Sequence, residues 1–194
     1  NVIKSNILGE VNYAHSMFSF PIQPARYYRI NRNMKKGGGA LWDIGPYAIH
    51  TIRQFFKENP IKVYASSKLN EHGADISTTG MIDFGNHKRA TFDISFECTR
   101  RSEFEAFGPL GRVKCPVVWQ PEDKTAKVVY TTEGSGMKEE VVPKANHFIL
   151  EINHFNKVAL NQLEQKLDMN DAFWNAKTLE GIEKSIVKHE WVKL

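Results

Sequence analysis

Between residues 61 and 142 the chain follows one pattern: short strand-like runs rich in β-branched and aromatic residues, most of them closed by Gly, Pro or Asn. The runs are 61–69, 76–84, 90–98, 103–107, 113–118, 127–131 and 139–142, and the breaks carry Gly73, Gly85-Asn86, Gly108-Pro109, Gly111 and Gly134-Ser135-Gly136. These connections are too short for the crossover helices that parallel neighbours require, so the pattern predicts a predominantly antiparallel sheet. One more strand is expected over 10–20, before Pro21 and Pro24 end it. The stretch 21–36 is polar, aromatic and irregular, with Arg26, Tyr27, Tyr28, Arg29 and Arg32 close together. It reads as a long loop, and long loops in compact domains are more often functional than idle.

The period becomes helical over 40–57. At 100° per residue, Leu41, Ile44, Ala48, Ile52 and Phe55 fall within about 80° and form a core-facing stripe. Asp43, Tyr47 and His50 fall within about 60° on nearly the opposite side, directly after Gly37-Gly38-Gly39. Groups able to carry or exchange protons therefore share one helix face. Further helices are expected at 146–165, with Phe148, Ile152, Phe155, Ala159 and Leu163 on one face, and at 171–188, with Ala172, Ala176, Leu179 and Ile186 on one face and Asn170 as cap. Helices grouped at the ends of an antiparallel run describe an α+β domain, an open-faced sheet covered on one face by helices. Phe92, Ile94 and Phe96 alternate onto one side of their strand, which the sequence reading assigns to the outer face. An exposed apolar face of that kind implies a partner copy, a homodimer or homotetramer built through the open sheet.

Composition excludes several classes of function. At 194 residues, 41% hydrophobic and 25% charged, the chain has the make-up of an ordinary globular protein and the length for one large domain or two small ones. Its 26 basic and 22 acidic residues leave a net charge of +4, scattered rather than gathered into a stripe. That argues against nucleic acid or a membrane surface as partner. Cys98 and Cys115 stand far apart, with no spacing that suggests a metal site, and point to free thiols in a reducing, cytoplasmic setting. The chain begins at Asn1, and residues 1–9 read as the end of a helix and a turn, as expected of a fragment.

The run Gly37-Gly38-Gly39-Ala40-Leu41-Trp42-Asp43-Ile44-Gly45-Pro46-Tyr47-Ala48-Ile49-His50 resembles the signature that opens the C-terminal domain of the Gfo/Idh/MocA oxidoreductases. Further matches follow in order: Leu8-Gly9-Glu10-Val11, Arg29, Val63-Tyr64-Ala65, Phe107-Gly108-Pro109-Leu110-Gly111, Glu151-Ile152-Asn153-His154-Phe155, Asn175 and residues 185–192. The resemblance covers nearly the whole chain. It implies a fold like the C-terminal domain of glyceraldehyde-3-phosphate dehydrogenase, working beside an N-terminal Rossmann domain that holds NAD or NADP. This sequence carries neither the G-x-G-x-x-G fingerprint of a Rossmann domain nor the family's catalytic lysine in its Glu-Lys-Pro motif. The expectation is a single substrate-binding and oligomerisation domain over 1–194, inactive without the missing Rossmann half of roughly 120 residues.

In the family an Asp and, four residues on, a His or Tyr project toward nicotinamide and substrate hydroxyl. Carried onto this sequence, the pair is Asp43 and Tyr47, and residues spaced i and i+4 on a helix can touch one small ligand. Oxidising a secondary alcohol needs a base for the hydroxyl proton, and a tyrosine with an ordinary pKa near 10 serves only where a cation favours its phenolate. Tyrosine at this position resembles the glucose-fructose oxidoreductase and dihydrodiol dehydrogenase branches, which implies a sugar, polyol or cyclic diol as substrate and no metal. Arg29 and His50 are the expected substrate contacts, and Gly38 and Gly39 the expected cofactor contacts. Simpler readings stand beside these: Asp43 as a helix N-cap, weakened by Pro46; Tyr47 as a half-buried structural tyrosine; His50 as an ordinary surface histidine; the glycines as a hinge. The same fold also serves as a non-catalytic ligand sensor or corepressor, or as a stand-alone oligomerisation module, and the presence or loss of the lysine upstream separates enzyme from sensor.

Overall fold

Alternation sets the first strand, β1 (Tyr13–Ser19), where Ala14, Ser16 and Phe18 turn into the core and His15 and Met17 turn away from it. The structure, a computed structural model, describes residues 6–119 and 125–194, so part of the helix end expected at 1–9 lies outside the described residues. After β1, a loop leads to helices α1 (Ala40–Asp43) and α2 (Gly45–Phe56). Strands β2 (Lys62–Leu69), β3 (Asp75–Gly85), β4 (Lys88–Ser95), β5 (Arg101–Gly108), β6 (Gly111–Cys115), β7 (Lys127–Thr132) and β8 (Gly136–Val141) follow. Helices α3 (His147–Ala159) and α4 (Met169–Lys188) and a short β9 (Val192–Lys193) close the chain.

The strands form one nine-stranded sheet in the order β8-β7-β6-β5-β1-β4-β3-β2-β9. Every neighbouring pair is antiparallel except β1 with β4, where Ala14 lies opposite Ala90 and Phe18 opposite Ile94 in parallel register. On its other side β1 pairs antiparallel with β5, Ala14 opposite Ala106. Consecutive strands β4 and β5 are therefore not neighbours, because β1 is inserted between them. The 96–100 connection can do this: fully extended it reaches up to about 17 Å, and two strand spacings need only about 10 Å.

Helices α1, α2 and α4 cover one face of the sheet. Leu41, Ile44, Ala48, Ile49, Ile52, Leu179, Ile182 and Ile186 pack there over Val63, Ala65, Ile82, Ala90 and Ala106. Phe92, Ile94 and Phe96 belong to this same layer and are buried, which corrects the sequence reading that placed them outside. Alternation shows which residues share a face; the helices decide which face becomes the core. The opposite face is polar. There Arg101 pairs with Asp93, Lys114 sits between Glu103 (2.6 Å) and Glu105 (2.8 Å), and the Thr91 hydroxyl lies 2.6 Å from both the Tyr13 hydroxyl and His15 Nδ1.

Both C-terminal helices depart from expectation in detail. Helix α4 starts at Met169 with the Asp168 carboxylate accepting from the Asp171 amide (2.9 Å), so Asp168 rather than Asn170 is the cap. Its buried side includes Thr178, Leu179, Ile182, Ser185 and Ile186, whereas Ala172 and Ala176 are exposed. Polar residues can face inward here because each has a partner: the Thr178 hydroxyl donates to the Trp174 carbonyl (2.6 Å), and the Ser185 hydroxyl donates to the Glu190 carbonyl (2.6 Å) while accepting from the Ala65 amide (3.0 Å). Helix α3 ends at Ala159, short of the expected 165, and Asn161 follows with a φ of 56°. Its Phe148, Ile152 and Phe155 are exposed. No helix among the described residues is long and apolar enough to cross a membrane.

Candidate functional site

The loop before α1 is folded back on itself by its glycines. The Gly38 amide donates to the Asn33 carbonyl (3.0 Å) and the Gly39 amide to the Arg29 carbonyl (2.8 Å). Both glycines are buried. A Cβ on Gly38 would lie 1.8 Å from the Arg32 carbonyl oxygen, and one on Gly39, whose φ is +96°, would lie 1.9 Å from Asp75 Oδ1. The close approach that demands glycine is thus to the chain's own atoms, so the residue type is explained here without a cofactor.

This folding delivers Arg29, at the end of a 3-10 turn (Pro24–Arg29), to Asp43 at the end of α1. One guanidinium nitrogen of Arg29 donates to both carboxylate oxygens of Asp43, and its Nε donates to the Tyr28 hydroxyl (3.3 Å). The bond to Asp43 holds the Arg29 pKa above its ordinary value. Asp43 is therefore committed to an ion pair and does not cap α2, whose first turn contains Pro46 and whose cap position is Ile44.

Tyr47 lies four residues beyond Asp43 and remains 45% exposed. Its ring meets Phe18 edge-on (5.6 Å between centroids, 89°) and faces Trp119 at 6.4 Å. Trp119 in turn stacks on Phe18 at 4.9 Å. It is fixed by Ser102, whose hydroxyl accepts from the Trp119 amide and donates to its carbonyl, both at 2.8 Å. Tyr47, Val118, Trp119, His147, Phe148 and Glu151 line a cleft of about 520 Å³. Among the described residues the Tyr47 hydroxyl makes no hydrogen bond and stays available to a ligand.

His50 takes a different partner. Its Nε2 lies 3.2 Å from Asp171 on α4, which also receives Arg53 (3.1 Å) and Gln54 (2.7 Å). This cluster ties α2 to the start of α4, and His50 does not line the Tyr47 cleft. Of the residues singled out by sequence, the structure joins Arg29 to Asp43 and sets Tyr47 beside a cleft, while His50 faces a helix junction. Sequence reasoning missed Trp119 and Asp75, both isolated residues that no periodicity marks. Among the described residues, no group of three or more His, Cys, Asp or Glu side chains is placed to hold a metal ion.

A nine-stranded sheet covered by helices on one face, with the Arg29–Asp43 pair at the α1 end and Tyr47 on α2, defines an α+β domain. Residues 1–114 match the profile of the GFO/IDH/MocA C-terminal domain, and the chain belongs to that family. An uncharacterised oxidoreductase of Rhizobium meliloti is 23% identical over 198 residues, covering 98% of this chain and 58% of its own length. Trans-1,2-dihydrobenzene-1,2-diol dehydrogenase of Xenopus tropicalis is 25% identical over 72% of this chain and 46% of its own length. Among solved structures, aldose-aldose oxidoreductase from Caulobacter crescentus, complexed with glycerol, superposes with a TM-score of 0.84 at 20% identity, over 100% of this chain and 58% of its own. A 3-ketoreductase from Actinomadura kijaniata, in complex with NADP and TDP-benzene, gives a TM-score of 0.82 at 19% identity, over 95% of this chain and 56% of its own. The chain spans about half the length of these relatives.

Proposed function

We propose that this domain forms the substrate side of an NAD(P)-dependent oxidoreductase acting on a secondary alcohol of a sugar, polyol or cyclic diol. The observation that carries this reading is the Tyr47 hydroxyl, which makes no hydrogen bond among the described residues and stands at a cleft of about 520 Å³, four residues beyond Asp43 of the Arg29–Asp43 pair. Bound NAD or NADP supplies the acceptor for the hydride. Tyr47 takes the hydroxyl proton as the carbonyl forms and returns it in reduction. Asp43 and Arg29 hold each other at the end of the short helix that precedes the one carrying Tyr47. Because Asp43 already pairs with Arg29, the cation that favours the Tyr47 phenolate would have to come from outside these residues, the place that the resemblance gives to the family's lysine. Trp119 and Phe148 offer ring faces to the C–H side of a sugar or diol, while His147 and Glu151 offer polar groups to its hydroxyls. The donor set suits a small neutral polyol held against a nicotinamide.

The names of the relatives support this reading: a dihydrodiol dehydrogenase, a D-xylose dehydrogenase of Haloferax volcanii and a ketoreductase acting on a dTDP-sugar. Assembly as a homodimer or homotetramer through the uncovered face of the sheet belongs to the same proposal, supported by the exposed Tyr13 and Met81 side chains on that face. So does a cytoplasmic location, supported by the free thiols Cys98 and Cys115. The test is turnover by the full-length protein with NAD or NADP against aldoses, linear polyols and cyclic diols, followed by absorbance of the reduced nicotinamide. Turnover of at least one class is expected, and none with any of them would refute the reading.

A further inference from the structure

Asp75 opens β3, away from the cleft, and its side chain is completely buried. One carboxylate oxygen, Oδ2, accepts from the Leu41 amide (2.8 Å) and the Thr78 hydroxyl (2.6 Å). The other, Oδ1, has no hydrogen-bond partner and lies against Gly39. A buried carboxyl with one oxygen unpaired is costly, and interiors retain such groups rarely. Its surroundings say what it does. Gly39 donates to the Arg29 carbonyl, and Leu41 stands two residues before Asp43. Asp75 therefore touches the joint between the segment that carries Arg29 and the helical turn that carries Asp43. The β2–β3 turn beside it stitches the same loop down: Asn70 Nδ2 donates to the Ile30 carbonyl (2.8 Å), and the Met34 amide donates to the Gly73 carbonyl (3.2 Å).

We propose that Asp75 is a positioning residue of the Tyr47 site, setting the register between the Arg29 loop and the Asp43 turn through its contacts with Gly39 and Leu41. The functional part of this statement rests on the reading of Tyr47, Asp43 and Arg29 given above. Glycine at position 39 and aspartate at position 75 then act as one unit. Only a residue without Cβ lets the carboxyl approach, and only an acceptor of this length reaches the Leu41 amide. A bond lost here frees the turn to move, and a displacement of about 1 Å at reacting groups costs about 10²-fold in rate.

The experiment compares the full-length wild type with Asp75→Asn and Asp75→Ala, reading the Arg29 Nε–H and Leu41 amide resonances by NMR and the steady-state kinetics of alcohol oxidation. Asp75→Asn keeps an acceptor of the same shape, so both resonances should stay at their wild-type positions and kcat within about threefold of wild type, the conservative variant rescuing the function. Asp75→Ala should shift both resonances and lower kcat by about 10²-fold, with a smaller change in KM. If Asp75→Ala does not fold, Asp75→Glu carries the same test, since one added methylene keeps the charge and breaks the register. A folded Ala or Glu variant with unshifted Arg29 and Leu41 resonances and wild-type kcat would overturn the proposal. The two readings fail separately: a wild type that turns over no alcohol defeats only the functional reading, because the resonances still decide the positioning.

Discussion

Exchanging Asp75→Asn replaces a buried, titrating carboxyl with an amide of nearly the same shape, so its effect on stability must depend on pH. Burial raises the Asp75 pKa from the ordinary 3.8 to about 6; the bonds from Thr78 and the Leu41 amide oppose the rise, and the Glu183 charge adds to it. Between those values the native state holds a proton that the unfolded chain has released, so the wild type loses stability as pH rises. A shift of this size corresponds to about 3 kcal/mol over the full titration. About 2 kcal/mol of it falls between pH 4.5 and 7.5. The asparagine side chain cannot titrate, and the other ionisable groups are common to both proteins, so the difference between their stabilities isolates Asp75. Urea denaturation across that range should show the variant gaining on the wild type as pH rises, with unchanged m-values. Any pH-independent cost of the amide moves the whole curve without changing its slope. A difference that is flat with pH, or that runs the other way, would refute the account of a buried, raised carboxyl.

The Arg53 side chain is 5% exposed and burial works against its charge, so Asp171→Ala should destabilise the fold by about 3 kcal/mol in denaturant titrations by leaving it short of its carboxylate. A loss below about 0.5 kcal/mol, the range of ordinary surface substitutions, would show that the α2–α4 tie contributes little. In the full-length protein, Trp119→Ala should raise KM for the alcohol about tenfold, the equivalent of about 1.4 kcal/mol of lost ring contact, and an unchanged KM would remove Trp119 from the substrate wall. The 194-residue chain, which contains no G-x-G-x-x-G run, should bind NADH no better than a control protein in a fluorescence titration. A micromolar dissociation constant would contradict that.

Strand positions were legible because alternation and turn-forming residues are local signals, and each run from 61–69 to 139–142 has its counterpart among β2 to β8. Topology was less so. The insertion of β1 between β4 and β5 depends on the reach of residues 96–100 and on a pairing that no local pattern encodes. Alternation groups Phe92, Ile94 and Phe96 on one face of their strand but does not say which, since only the covering helices distinguish the faces. In α4 the inward Thr178 and Ser185 look like surface residues until their partners are seen. Helical phase brought out Asp43 and Tyr47, and the same phase pointed equally to His50, whose Asp171 partner lies far along the chain. Asp75 and Trp119 act through contacts with distant segments, and nothing in their own neighbourhoods announces it.

The central claim, that Tyr47 moves the substrate proton, is tested most directly by single-turnover kinetics of the full-length protein with Tyr47→Phe. The substitution removes one oxygen and keeps the ring against Phe18 and Trp119. The rate of nicotinamide reduction under saturating alcohol should fall by about 10²-fold or more, the usual contribution of a positioned acid or base, while KM changes little. A wild-type rate in that variant would contradict the account.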